Sequence, residues 1–168
     1  KNETLEQVAT AVPGNNARHM PGTWTYSGSA IEFEADNLLQ KAGGAAAASL
    51  AENKLNEQLA KVGIKDGQVS FTFNADSTFT STVGKRTMNG TYSYDTSDKT
   101  VHLKYFRLLN LNAKVNCTSS SMELLFNSDK LLKLISFISS KSSNTTLNAI
   151  SSLADSYDGM MLGFELKK

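Results

Sequence analysis

The 168-residue chain has the length of one domain, and a domain of this size buries roughly 70% of its unfolded surface without needing a disulfide or a metal. Its 17 basic and 16 acidic residues give a net charge of +1, which argues against nucleic acid as a partner. No stretch approaches the ~20 consecutive apolar residues of a membrane-spanning helix.

The start of the chain and its composition predict export. The chain begins at Lys1 rather than at Met, Ser, Thr and Asn are abundant, and the single Cys117 cannot form an internal disulfide. We therefore expect an extracytoplasmic protein, in the cell envelope or secreted, whose signal peptide has been removed.

The first 21 residues predict a short helix followed by a loop. Thr4-Leu5-Glu6-Gln7 is a capping-box pattern, and Pro13-Gly14 is where the helix should end. From Gly22 onwards the apolar period changes to two, which is typical of a strand. We therefore expect one domain overall, with an N-terminal segment over residues 1–21 and a barrel over residues 22–168.

The sequence of the first strand predicts a break in its regular alternation. Trp24 and Tyr26 share one face, but the apolar parity then shifts to Ile31 and Phe33. A β-bulge near Gly28-Ser29 would bring both halves onto the same face of one long strand.

A long helix is predicted next, with Asp36 as its N-cap and Gly63 just after its end. The middle of its apolar stripe is nearly all Ala and lies beside Gly43-Gly44. Because glycine weakens a helix by ~1 kcal/mol relative to alanine, the pair needs a compensating reason. We expect Gly43 or Gly44 to approach the barrel surface closely.

The rest of the chain predicts a meander, two helices and a final strand. Six segments alternate with period two: Gln68 to Asn74, Phe79 to Val83, Met88 to Tyr94, Val101 to Tyr105, Leu109 to Cys117, and Met122 to Phe126. Helices follow from Ser128 and around Leu147, and a strand follows Asp158-Gly159. The fold class is thus mainly β with helical inserts (α+β), and eight strands favour a closed antiparallel barrel, with the last strand beside the first.

Several segments carry a family likeness. Gly22-Thr23-Trp24 resembles the Gly-x-Trp signature of lipocalins, in which the Trp closes the barrel floor. The fuller pattern includes Ala30-Ile31-Glu32-Phe33-Glu34, Phe73-Asn74-Ala75-Asp76-Ser77-Thr78-Phe79, Gly90-Thr91-Tyr92 and Asp158-Gly159-Met160. It is similar to a family of lipocalin-like domains of unknown function from the envelopes of Gram-negative gut bacteria, over nearly all of the chain from Gly22.

That resemblance implies a lipocalin-like eight-stranded barrel and export, in the periplasm or secreted, as a lipoprotein anchored upstream of Lys1. It implies no activity and no site. Lipocalins place an Arg after the last strand, packed over the Trp, and here Lys167 is the candidate substitute.

The barrel interior is the candidate site, since eight strands enclose just enough space for side chains or for one small ligand. The residues that we expect to line a ligand are Trp24, Tyr26, Phe71, Phe73, Met88, Tyr92, Leu103, Tyr105 and Phe164. Other inward positions are Phe79, Met122, Leu124, Met160 and Leu162. These large side chains suffice to fill the lumen, whereas the inward tyrosines favour a cavity because buried hydroxyls need partners.

Other chemistry finds little support in the sequence. His19 and His102 have no triad spacing, and Cys117 shares an inward parity with apolar residues. Glu32 and Glu34 share a face that should be solvated. The Asn74 to Ser77 cluster has the composition of a turn, which explains its oxygen ligands without calcium. We expect no catalytic residue, metal or cofactor.

Two functional hypotheses follow. In the first, a non-enzymatic envelope or secreted protein binds a small apolar or amphipathic ligand in its barrel. In the second, an envelope interaction or scaffold protein has a packed core and no small-molecule ligand. A connected internal void of at least ~300 Å³ would favour the first.

Overall fold

Eight antiparallel strands, each paired with the next along the chain, close into a barrel in which β8 also pairs with β1. The structure is a computed structural model, and it describes residues 19–33, 44–106, 108–157 and 160–168. The strands are β1 (Gly22–Phe33), β2 (Val69–Phe73), β3 (Thr78–Val83), β4 (Arg86–Asp95), β5 (Thr100–Tyr105), β6 (Leu109–Cys117), β7 (Ser121–Phe126) and β8 (Met160–Lys167). The helices are α1 (Ala45–Lys61), α2 (Ser128–Ile138) and α3 (Asn144–Asp155). The predicted strand order and closure are confirmed.

The direction of the strands gives the barrel two different ends. The end that we call the floor carries the start of β1, the end of β8, and the β2–β3, β4–β5 and β6–β7 turns. The other end, the mouth, carries the β3–β4 and β5–β6 turns and all three helices. The helical inserts therefore gather at the mouth.

The β1 strand contains the predicted bulge. Its register against β8 shifts between Tyr26 and Gly28, and after the shift Ile31 lies opposite Leu162 and Phe33 opposite Met160. The extra residue brings both apolar halves of β1 onto the inner face, as the change in parity required.

Two strand glycines allow the sheet to curve tightly. A Cβ at Gly163 in β8 would lie 1.8 Å from the Leu124 carbonyl oxygen, and one at Gly90 in β4 would lie 2.1 Å from the Lys104 carbonyl oxygen. Neither position has room for a side chain, because the neighbouring strand backbone occupies the space. Such glycines mark the bends by which a small sheet closes on itself.

A seam remains beside the upper part of β1, and α1 fills it. β2 pairs with β1 only over Gly22 to Thr25, although β1 continues to Phe33. Beyond that point the Asn56 carboxamide oxygen accepts a 2.7 Å hydrogen bond from the Ser29 backbone N–H, and the Ser29 hydroxyl donates to the Glu52 carbonyl at 2.9 Å. A helix thus supplies the partners that a strand edge would otherwise leave unsatisfied.

The long helix differs in part from its prediction. α1 begins at Ala45, with Gly44 at its N-cap in a left-handed conformation (φ 76°). No atom lies within 4 Å of a Cβ built at Gly44, so the close approach expected there is wrong for this residue. The close approach is absent because the glycine has another role: Gly44 adopts the positive φ with which the backbone turns into the helix. Gly43, the Asp36 cap and the N-terminal helix lie outside the described residues.

Candidate functional site

Trp24 closes the barrel floor. It is fully buried, and its indole Nε1 donates a 2.8 Å hydrogen bond to the Met20 carbonyl. The Lys168 ammonium lies 5.0 Å from the centroid of the indole ring and donates to the His19 carbonyl at 3.4 Å. The cation over the Trp is therefore Lys168 rather than the expected Lys167, which alternates outward and lies 3.8 Å from Glu165.

Aromatic rings form a continuous chain of contacts from near the floor to the mouth. Successive centroid distances are 5.0 Å from Tyr92 to Phe73, 5.9 Å to Phe79, 4.9 Å to Tyr105 and 4.7 Å to Phe137 of α2. Edge-to-face and tilted geometries dominate this chain, which is the preferred arrangement for packed rings.

A second set of rings fills the opposite side of the lumen. Phe164 lies 6.1 Å from Phe71, 6.1 Å from Phe126 and 5.8 Å from Tyr26. Phe71 and Phe73 then join the two sets at 6.3 Å. The two sets of rings thus meet across the lumen.

Each inner tyrosine hydroxyl that was expected to favour a cavity has a protein partner. Tyr105 shares a 3.0 Å hydrogen bond with the Ser81 hydroxyl, Tyr26 donates to Asn56 at 3.3 Å, and Tyr92 donates to the Asn74 carbonyl at 2.8 Å. Burial raises the pKa of Tyr26 and of Tyr105, so both remain neutral far into the alkaline range. None of the three needs a ligand or a water to satisfy it.

The mouth is covered by α2. Its apolar face is fully buried and consists of Leu131, Leu134, Ile135 and Ile138. The helix contacts β3, β6, β7 and β8, and so spans the barrel opening from one wall to the other. At its C-terminal end the Ser139 hydroxyl donates to the Val62 carbonyl, which ties α2 to the end of α1.

All nine predicted ligand residues lie on the inner face. Eight are buried and Tyr92, near the floor, is half-buried. Eight of them belong to one hydrophobic core cluster and Tyr92 packs against it, and their role toward a ligand stays a prediction. Sequence reasoning did not include four groups that complete the packing: Met20, Ser81, Phe137 and Lys168. Ser81 alone carried a usable signal, since it shares the inward parity of Phe79 and Val83.

The reactive side chains considered in the sequence lie apart from one another. Cys117 is buried, and burial raises the pKa of its thiol to about 12. His102 is exposed on the outer face, where its Nδ1 lies 2.5 Å from the Asn112 side-chain oxygen. Glu32 lies on the outer face in an ion pair with Lys114, while Glu34 lies outside the described residues.

The Asn74 to Ser77 cluster is a turn that uses its own oxygens. Asp76 accepts hydrogen bonds from the Thr78 hydroxyl at 2.6 Å and from the Thr78 backbone N–H at 3.0 Å. The hydroxyl bond lowers the pKa of Asp76. Within the described ranges, no three His, Cys, Asp or Glu side chains are placed to hold a metal ion. No helix in the same ranges is long and apolar enough to cross a membrane.

Comparison with known proteins adds a family but no activity. The family model described as Lipocalin-like domain (DUF4923) matches residues 1–168. Among solved structures, a DUF4847 family protein from Bacteroides vulgatus is similar at 15% sequence identity and a TM-score of 0.42, covering 90% of this chain and 95% of that one. A comparison with curated proteins gives no significant match.

Proposed function

Because this chain belongs to the family described as Lipocalin-like domain (DUF4923), we propose that it is a non-enzymatic interaction protein of the cell envelope, with a packed barrel and no small-molecule ligand. The observation that carries the proposal is the unbroken chain of ring contacts from Tyr92 to Phe137. Side chains occupy the volume in which lipocalin-like barrels would hold a ligand. Any partner would therefore bind to the outer surface of the barrel.

Two further features support a solid interior. The inner hydroxyls of Tyr26, Tyr92 and Tyr105 are satisfied within the protein, so these three groups are not left unpaired for a ligand to bind. The buried face of α2 also closes the mouth, and opening it would expose four large apolar side chains to water. An envelope location belongs to the same proposal, and the composition rich in Ser, Thr and Asn supports it.

The test is a ligand screen read by two signals. Fatty acids, sterols, haem-like pigments and bile-acid-like amphiphiles are titrated while Trp24 emission and the melting temperature are recorded. We expect blue-shifted, iodide-shielded emission and no saturable change in either signal, because the lumen is full. A luminal ligand at a hundredfold excess over its Kd would add ~2.7 kcal/mol of stability, which the melting temperature would report clearly.

A second candidate function is apolar ligand binding with displacement of α2. The observation in its favour is that α2 covers the mouth with a continuous apolar face, and is connected along the chain to β7 through Asn127 and to α3 through residues 139–143. If this occurs, Leu134→Ala should tighten binding by vacating luminal volume, and Tyr105→Trp should weaken it. If the affinity of a ligand is the same for both variants and for the unchanged protein, the ligand binds outside the barrel.

A further inference from the structure

The tip of the β5–β6 hairpin exposes two large apolar side chains at the mouth. Phe106 is 60% exposed and Leu108 is 71% exposed. Together with Thr91 and Lys104 they line one shallow surface hollow. Arg107 lies between them in the sequence. Single exposed apolar residues are ordinary, but a pair at the end of one hairpin forms a protruding patch.

The backbone at this tip is also unfavourable for the residue that it holds. Phe106 has φ 50°, in the left-handed region that costs a residue with a Cβ roughly 1–2 kcal/mol and that Gly or Asn adopts more easily. An aromatic ring in that position contributes little to the stability of the barrel, since Phe106 is mostly exposed to water. Strain of this kind points to a use for the side chain outside the fold.

Cations lie at the same end of the barrel as the patch. Lys85 and Arg86 are exposed on the neighbouring β3–β4 turn, and with Lys65 and Lys141 they line a groove of about 550 Å³. None of these four cations forms an ion pair with a carboxylate in the described part of the chain. Lys104 is exposed beside the hairpin tip and adds a fifth positive charge.

We propose that the mouth rim docks onto an anionic lipid bilayer, with Phe106 and Leu108 entering the interface and Lys85, Arg86 and Lys104 meeting the headgroups. Apolar side chains flanked by cations are the combination that binds peripheral proteins to anionic membranes. A second copy of the chain would set one basic rim against another. This docking does not depend on whether the lumen is packed.

The experiment is flotation of the full chain with vesicles of phosphatidylcholine alone and with vesicles of phosphatidylcholine and phosphatidylglycerol in equal parts. We expect binding to the anionic vesicles only, falling as salt screens the charges. Lys85→Gln with Arg86→Gln should lower the partition coefficient roughly twenty-fivefold, since each cation near an anionic surface contributes about fivefold. Phe106→Asn with Leu108→Ser should lower it at least ~tenfold.

Leu50→Ser is the matched control. Leu50 is 61% exposed, like the two tip residues, but lies on α1. Its replacement should leave the partition coefficient unchanged, and circular dichroism and melting curves confirm that all variants fold. Equal binding to both vesicle types, absence of binding, or indifference to both double variants would overturn the proposal. So would a concentration-dependent dimer that Phe106→Asn with Leu108→Ser dissociates, because a second copy would then occupy the patch.

Discussion

Ser81 and Tyr105 show what one polar pair does inside an apolar barrel. Both are fully buried, and their hydroxyls lie 3.0 Å apart. Ser81→Ala should lower the free energy of unfolding by about 1–3 kcal/mol, because it leaves the Tyr105 hydroxyl buried without a partner. Adding Tyr105→Phe should recover most of the loss, since no polar group then remains unsatisfied.

Urea unfolding of the two single variants and of the double variant measures this coupling. If the double variant is as unstable as the sum of the single variants, the two hydroxyls are independent and the hydrogen bond contributes nothing.

At Phe106 we predict a substitution that stabilises the protein. Phe106→Asn should raise the melting temperature slightly, with a gain of ~1 kcal/mol, because Asn tolerates the left-handed backbone that Phe adopts at φ 50°. Leu108→Ser, at a position without positive φ, should leave stability nearly unchanged. A lower melting temperature for Phe106→Asn would mean that the ring stabilises the fold despite its exposure.

Single residues were also where sequence reasoning reached its limit. Alternation placed Trp24 and the phenylalanines on the inner face, because side chains alternate strictly along a strand. It did not identify Lys168 as the cation over Trp24. Lys167 and Lys168 are adjacent in the sequence, and only the path of the chain at the end of β8 decides which of them lies over the floor. The partners of the tyrosine hydroxyls were likewise out of reach, because they join strands and helices distant in sequence.

At the scale of elements, β8 depends on a residue without a side chain. Gly163→Ala should destabilise the barrel by several kcal/mol or prevent folding, because its Cβ would overlap the Leu124 carbonyl, and strand backbone moves far less easily than a side chain tip. Gly28→Ala is the matched control, since its Cβ would make an ordinary 3.9 Å contact with Asn56.

Thermal melts of both variants compare the two sites directly. Similar melting temperatures for Gly163→Ala and Gly28→Ala would show that β7 and β8 separate at little cost, which would contradict the close approach of their backbones.

The strands were more predictable than the helices for a physical reason. One-sided burial leaves a period of two in the sequence, and the parity shift in β1 located its bulge. The apolar stripe of α2 was also visible, but not that it would lie across the mouth, because a stripe shows that a face is buried and not what buries it. For α1, the Ala-rich stretch predicted tight packing at Gly43 or Gly44. Gly44 lies at the start of the helix without such packing, and Gly43 lies outside the described residues.

The whole molecule should lose stability in alkaline solution. Burial raises the pKa of Tyr26, Tyr105 and Cys117 above the values of ~10 and ~8.5 that these groups have when unfolded. The three protonated groups therefore contribute fully to the free energy of unfolding when the pH is below their pKa values in the unfolded chain. This contribution is lost as pH rises, because the unfolded chain releases protons that the folded chain retains.

Urea midpoints between pH 7 and pH 11 test this dependence. We expect a decline that begins near pH ~8.5 with the thiol and steepens above pH ~10 with the tyrosines. Cys117→Ala should remove the first part of the decline and leave the second. A midpoint that is constant up to pH 11 would contradict the burial of all three groups.

The pairing of β1 with β8 has a consequence for when the protein can fold during its synthesis. The strand nearest the start of the described chain closes against β8, which is synthesised after the other seven strands, and Lys168 covers Trp24 only once β8 is complete. A nascent chain lacking Met160 to Lys168 has an open sheet with two unpaired edges and an uncovered floor. Completion of the barrel must therefore wait until β8 has been synthesised, and every shorter nascent chain leaves the edges of β1 and β7 open to pairing with another chain.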